Sequence, residues 1–236
     1  MPVSQSDHSF LASFAKGLKD CAEEYGITLL GGDTTSSRNL VVSIQVQGTV
    51  LAQKALLRSG AKQGNNIWLS GNVGTSAAVL EHILQYTDQQ PDFNQQPELK
   101  AYYLPDAQIQ LGQQLVDIAT STLDISDGVL QDAEHIAEMS DVTLQLDIKE
   151  ISNLAPTHMT DTLEALKFAL TGGDDYQLLF TAPKENREQI ANLFNSHNQS
   201  PTLIGEVLEK QDSYIKLKNC PEDLHPMIQQ KGFQHF

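Results

Sequence analysis

Apolar positions recur along the chain in two rhythms. Phe10, Leu11, Phe14, Leu18, Cys21 and Ala22 fall at helical spacing, which predicts a helix from Ser9 to Glu24, closed by Gly26. Ile27–Leu30 is a short apolar run, read as a strand that ends in Gly31-Gly32-Asp33-Thr34-Thr35. From Leu40 to Val50 the pattern alternates. Val42, Ile44, Val46 and Val50 face one way and Ser43, Gln45 and Gln47 the other, which predicts a second strand. Lys54 to Gly64 reads as a connector. Beyond it, Ile67-Trp68-Leu69 reads as a strand and Thr75 to about Tyr86 as a helix, with Gly71-Asn72-Val73-Gly74 between them. The Gln-rich stretch from Gln85 to Gln96 reads as an exposed loop. Helices are predicted over Gln108–Ala119, up to Met139 with Val129, Leu130, Ala133, Ile136 and Ala137 inward, over Thr162–Leu170 and over Glu185–Phe194. Extended segments are predicted at Ser121–Ile125, Val142–Leu146, Tyr176–Thr181, Thr202–Val207 and Tyr214–Leu217. Helices and strands alternate, so the fold class is α/β or α+β.

Composition narrows the function classes. The 236 residues allow one large domain or two modest ones, and 15 basic against 30 acidic residues give a formal charge of −15. Such a surface repels phosphate backbones, so nucleic acid is a poor partner, and an anionic substrate would need metal ions as mediators. No apolar run approaches the ~20 residues of a membrane span. Cys21 and Cys220 stand in unrelated contexts with no metal-ligand spacing, which suits a reduced, cytoplasmic protein. The first stretch, to about residue 56, is too thin to bury a core alone. It is expected to dock on the rest, to pair with another chain, or to be the tail of a longer domain.

Three acidic turns each end an apolar element. Gly31-Gly32-Asp33-Thr34-Thr35 is either a Mg²⁺ turn, with glycines allowing close approach and hydroxyls beside a carboxylate, or a hairpin turn whose Asp bonds its own backbone. In Leu123-Asp124-Ile125-Ser126-Asp127-Gly128, Asp124 and Ser126 share a face of an extended segment. Ser126 or Asp127 would serve as a helix cap, but a cap does not call for Asp124, whereas a metal site would. The adjacent carboxylates of Gly172-Gly173-Asp174-Asp175-Tyr176 call for a cation or a donor, unless the turn is simply solvated. The Gly71–Ser76 junction lacks a Walker lysine, and reads as a plain turn or a helix start holding an anion. Among few cations, Arg58 lies outside any charge run and is either a phosphate contact or a surface cation. His82 and His135 have no partner at ligand spacing and read as structural. Carboxylates, glycine turns and hydroxyls with few cations fit Mg²⁺-assisted phosphate chemistry.

The ordered set Leu30-Gly-Gly-Asp-Thr-Thr35, Leu57-Arg-Ser-Gly-Ala-Lys62, Leu123-Asp-Ile-Ser-Asp-Gly128, Leu170-Thr-Gly-Gly-Asp-Asp-Tyr176, Ile204-Gly-Glu-Val207 and Lys231-Gly-Phe-Gln-His-Phe236 resembles the thiamine-monophosphate kinase family, of the aminoimidazole ribonucleotide synthetase-like superfamily. The resemblance implies Mg²⁺-dependent transfer of the ATP γ-phosphate to thiamine monophosphate, giving thiamine diphosphate. By motif, Gly32 and Asp33 match a nucleotide and Mg²⁺ turn, and Arg58 and Ser126 match ATP contacts. Asp124 and Asp127 match Mg²⁺ ligands, with Asp174 and Phe233 on the substrate side. The acceptor phosphate is already anionic, so no general base is implied. The implied architecture is a C-terminal remnant of a nucleotide-binding domain over 1–56, followed by a complete α/β domain over 57–236. The full-length family form would be a homodimer. The family's early Gly-Asp-Asp turn and Thr-Asp motif have no counterpart here, so the chain reads as a piece of a longer frame, with a non-catalytic remnant or binding module as the alternative. Tyr103-Leu-Pro-Asp106 stands where the family tends to carry Arg-Pro-x-Pro-Arg, and Thr75 where it often has Asp.

Overall fold

A computed structural model of the chain describes residues 7–85, 92–196 and 201–228. The Gln-rich centre near Gln90, and the terminal motif with Phe233, lie outside the described residues. The chain separates into two compact units, Met1–Val50 and Leu51–Phe236.

The first unit holds helix α1, His8–Glu24. Asp7 caps it, its carboxylate accepting from the backbone N–H groups of Ser9 and Phe10 at 2.9 and 3.0 Å. Phe10 and Phe14 stack one turn apart, with ring centroids at 6.2 Å. The strands expected at Ile27–Leu30 and Leu40–Val50 are corrected. Neither segment is paired in a ladder among the described residues, and an extended segment becomes a strand only through its neighbour's backbone. Leu30, Val42, Ile44 and Val46 accordingly stay exposed.

The second unit is built on six strands: β1 Asn66–Leu69, β2 Ser121–Asp124, β3 Thr143–Asp147, β4 Leu178–Ala182, β5 Thr202–Leu208 and β6 Ile215–Lys218. They form one sheet in the order β2-β4-β1-β5-β3-β6. Every pair is antiparallel except β3 with β6, so the class is α+β with a mixed sheet. Among the described residues seven α-helices accompany the sheet: α2 Thr75–Gln85, α3 Leu99–Tyr103, α4 Ile109–Gln114, α5 Val129–Ser140, α6 Ile148–Ser152, α7 Thr162–Thr171 and α8 Arg187–Ser196. The short α3 and α6 were not legible from periodicity, since five residues span barely more than a turn.

Alternation along the strands makes two cores. Ile67, Leu69, Leu123, Leu144, Leu146 and Leu179 join the inward faces of α5 and α7 in the larger one. Trp68, Phe180 and Ala182 point the other way, onto Leu111 and Leu115 of the α4 region and Ile190 of α8. Trp68 and Phe180 stack at 6.4 Å between centroids. The strand expected from Tyr176 begins only at Leu178, because Asp174 and Tyr176 adopt φ values of 63° and 53°, left-handed geometry that no ladder accepts.

Candidate functional site

Two of the acidic turns lie side by side. The β2–β4 pairing continues past the strand ends: Ile125 N–H donates to the Gln177 carbonyl at 2.8 Å, Tyr176 N–H to that of Ile125 at 2.9 Å, and Asp174 N–H to that of Ser126 at 3.1 Å. Gly173 is necessary here, since a Cβ on it would overlap the Ser126 carbonyl. Gly128 takes φ 112° and packs against the Thr171 backbone, which brings the start of α5 against the end of α7.

Each turn is held from within by a buried carboxylate. Asp132, on α5, is buried, and its Oδ2 accepts from the backbone N–H groups of Ser126, Asp127 and Gly128 at 3.0, 3.1 and 3.1 Å. Burial pushes its pKa up to about 6 despite those three bonds. Asp175 is buried too, with Oδ2 accepting from Gly74 N–H and Oδ1 from Ser76 N–H at 3.2 Å. Burial also raises its pKa to about 6, opposed by the same backbone donors. The start of α2 therefore does hold an anion, and that anion is the chain's own Asp175.

The exposed members face outward from this frame. Asp124 ends β2 in solvent, and Ser126 and Asp127 are half-buried, with Gln131 Nε2 donating to Asp127 Oδ2 at 3.2 Å. Asp174 is exposed and accepts from the Tyr176 hydroxyl at 2.9 Å. The Tyr176 phenol is pushed upward, first by burial, then by Asp174, with a smaller push from Asp124. Arg58 is exposed on a loop tied to β2 through Thr122 N–H to the Leu57 carbonyl at 2.9 Å. The Ser140 hydroxyl accepts from Gly60 and Ala61 N–H, each at 3.1 Å, and fixes the far side of that loop. Thus Asp124, Ser126, Asp127 and Asp174 are brought together, with Arg58 tethered to the same strand. Gly32 and Asp33 belong to the other compact unit, where Asp33 Oδ1 accepts from Thr34 N–H at 2.7 Å, the self-bonded turn.

Single ligand atoms of Asp127, Asp132 and His135 all lie within 4.8 Å of one another. His135 therefore has a partner one turn earlier on α5, correcting the expectation that it stands alone. An exposed Asp124 and a half-buried Asp127, three residues apart on the second acidic turn, offer the hard oxygen donors that Mg²⁺ prefers, so the residues present fit that ion.

Asp132 goes unrecognised in the sequence, and Asp175 reads only as one of two adjacent carboxylates that call for a cation or a donor, which Gly74 and Ser76 N–H supply. Asp132 was within reach: it falls beside Val129, Ala133 and Ile136 on the inward face of α5, and a carboxylate on an apolar face must find donors. Nothing in the sequence says which of Asp174 and Asp175 turns inward.

Residues 62–218 match the family described as AIR synthase related protein, C-terminal domain, and residues 1–50 match its N-terminal domain. The sheet and its paired acidic turns are thus those of an AIR synthase related protein. A Haemophilus influenzae thiamine-monophosphate kinase is 35% identical over 86% of this chain and 62% of its own length, and one from Escherichia coli K12 is 33% identical over 98% and 70%. The chain belongs to the thiamine-monophosphate kinase family. It spans 62% to 70% of the length of these two curated relatives. A solved ThiL protein, described as complexed with AMPPCP and TMP, superposes with a TM-score of 0.76 at 25% identity, over 100% of this chain and 71% of that one. Among the described residues no helix is long and apolar enough to cross a membrane.

Proposed function

We propose that the paired turns serve Mg²⁺-dependent transfer of the ATP γ-phosphate to thiamine monophosphate, giving thiamine diphosphate and ADP. The observation that carries this reading is the backbone pairing of Ile125-Ser126-Asp127 with Asp174-Asp175-Tyr176, which sets Asp127 and Asp174 on one hydrogen-bonded frame. An oxygen of the acceptor phosphate attacks the γ-phosphorus and the bond to the β,γ-bridging oxygen breaks. The attacking oxygen is already anionic, so no side chain need remove a proton, and positioning carries the reaction. Asp124 and Asp127 would hold Mg²⁺, which when bound supplies positive charge against the phosphoryl oxygens. Ser126 and Arg58 would contact the nucleotide, and Asp174 and Phe233 the thiamine phosphate. The reading carries with it a cytoplasmic location and a homodimeric full-length form.

The test is formation of thiamine diphosphate by the purified chain with ATP, Mg²⁺ and thiamine monophosphate. Turnover is expected, falling by about two orders of magnitude in Asp127→Asn. Thiamine-monophosphate binding without turnover would replace the kinase reading with a binding module. Neither binding nor turnover would overturn both.

A further inference from the structure

The sheet face that carries Trp68 and Phe180 changes character beyond β1. Leu144, Leu146, Ile215 and Leu217 turn to the larger core, so Gln145, Asp147, Lys216 and Lys218 fall on the opposite face. Where the apolar cover of α4 and α8 gives way to these polar residues there is a cavity of about 590 Å³. Asn66 on β1, Gln145 on β3 and Gly205 on β5 line it, together with Arg187 at the start of α8 and Glu150 of α6. Gly205 leaves it open by necessity, since a Cβ there would run into the Gln145 carbonyl.

Asn66 is only 1% exposed. Its Oδ1 accepts from Arg187 Nη2 at 3.1 Å, which settles the orientation of the amide. Nδ2 is then a buried donor with no partner among the described residues. Buried donors are rarely left unpaired, because they lose water and gain nothing in return. An acceptor arriving through the cavity would repair that loss.

The charges say what kind of acceptor. Glu206 is paired with Lys184 at 3.4 Å, and Asp147 with Lys218 at 3.5 Å. Among the ion pairs of the described residues, Arg187 has no acidic partner and Glu150 no basic one. Among the described residues lining the cavity, the groups without an ion-pair partner are the Arg187 guanidinium, bonded to the Asn66 amide, and the Glu150 carboxylate. We infer that this cavity binds a small zwitterion of the amino-acid type, its carboxylate on Asn66 Nδ2 and Arg187 and its ammonium on Glu150. Asn66 opens β1, whereas the Gly71 turn follows its other end, so this site is separate from the acidic turns and independent of the proposed kinase reaction.

Isotope-labelled chain titrated with glycine, β-alanine and γ-aminobutyrate, followed by the Asn66 side-chain amide signals in nuclear magnetic resonance, tests the inference. At least one of the three is expected to shift those signals saturably at millimolar concentration. Arg187→Gln and Glu150→Gln, neither of them a core position, should each weaken binding about tenfold, and acetate or methylammonium alone should bind about tenfold more weakly. Circular dichroism checks that both variants fold. No saturable shift with any of the three overturns the inference. So does unchanged binding in either variant. Acetate binding as well as the amino acids also overturns it, leaving an oxyanion site without a cationic subsite.

Discussion

Asp132 and Asp175 are 1% and 7% exposed, while Asp124 and Asp174 stand in solvent, although all four serve the same pair of turns. The buried two accept from backbone N–H groups, three on Asp132 and two on Asp175, and the Ser76 side chain adds a further bond to Asp175. Among the described residues no backbone donor of the turns reaches the exposed two, and Asp174 accepts from the Tyr176 hydroxyl. Acidic residues so close together repel one another, and here the frame resolves that repulsion by dividing roles. The inward carboxylates fix backbone and the outward ones keep their oxygens for a ligand. Four aspartates of similar appearance in the sequence should therefore separate into two classes when altered.

The largest effect is expected from Asp132→Ala. It strips the partner from three N–H groups in a tight turn that cannot all be rehydrated, and a loss of about 3 kcal/mol follows. Urea unfolding measures it, and Asp132→Asn, which keeps an acceptor oxygen, should recover most of the loss. If Asp132→Ala costs no more than Asp124→Ala, the division of roles fails.

Asp175 gives the next effect, read through pH. Burial raises its pKa from 3.8 to about 6 in the folded chain. Between those values the folded state binds more protons than the unfolded one, so this group's contribution to stability falls as pH rises through the window and is greatest below it. Relative to Asp175→Asn, the native chain should gain about 2 kcal/mol between pH 7 and pH 4. A flat difference between the two pH profiles would mean that the Gly74 and Ser76 donors offset the burial in full, and that Asp175 behaves as an ordinary helix cap.

The sequence patterns that proved legible are those with a strong repeat or a backbone demand. Helix α5 ends within one residue of its expected limit at Met139, and the glycines of the second and third turns mark real close approaches. Ile27–Leu30 and Leu40–Val50 show the opposite case. Their apolar alternation is genuine, yet pairing is a property of two segments, and periodicity in one cannot supply the other. The start of β4 was misplaced for a local reason, since nothing in the letters Asp174-Asp175-Tyr176 announces two left-handed residues around a buried one. At the site, motif order pointed to the exposed carboxylates, which have no packing role to betray them. The inward turn of Asp175 was not legible because its donors, such as Gly74 N–H, come from a distant segment, whereas Asp132 takes its donors from the turn just before it.

The smallest expected effect on stability, and the sharpest on ligand binding, belongs to Asp124→Asn. Asp124 is exposed at the end of β2, and the β2–β4 ladder around it is made by backbone atoms that the substitution leaves in place. Unfolding should change by about 0.5 kcal/mol or less. Asparagine keeps the shape and one acceptor oxygen but loses the negative charge that a hard divalent cation needs. The Mg²⁺ concentration for half-saturation, measured by calorimetric titration in the presence of ATP, should therefore rise about tenfold. A large loss of stability would move Asp124 into the class of Asp132 and Asp175. Unchanged Mg²⁺ binding in a stably folded variant would leave Asp124 without the role its exposure assigns, and the outward carboxylates would no longer be a single class.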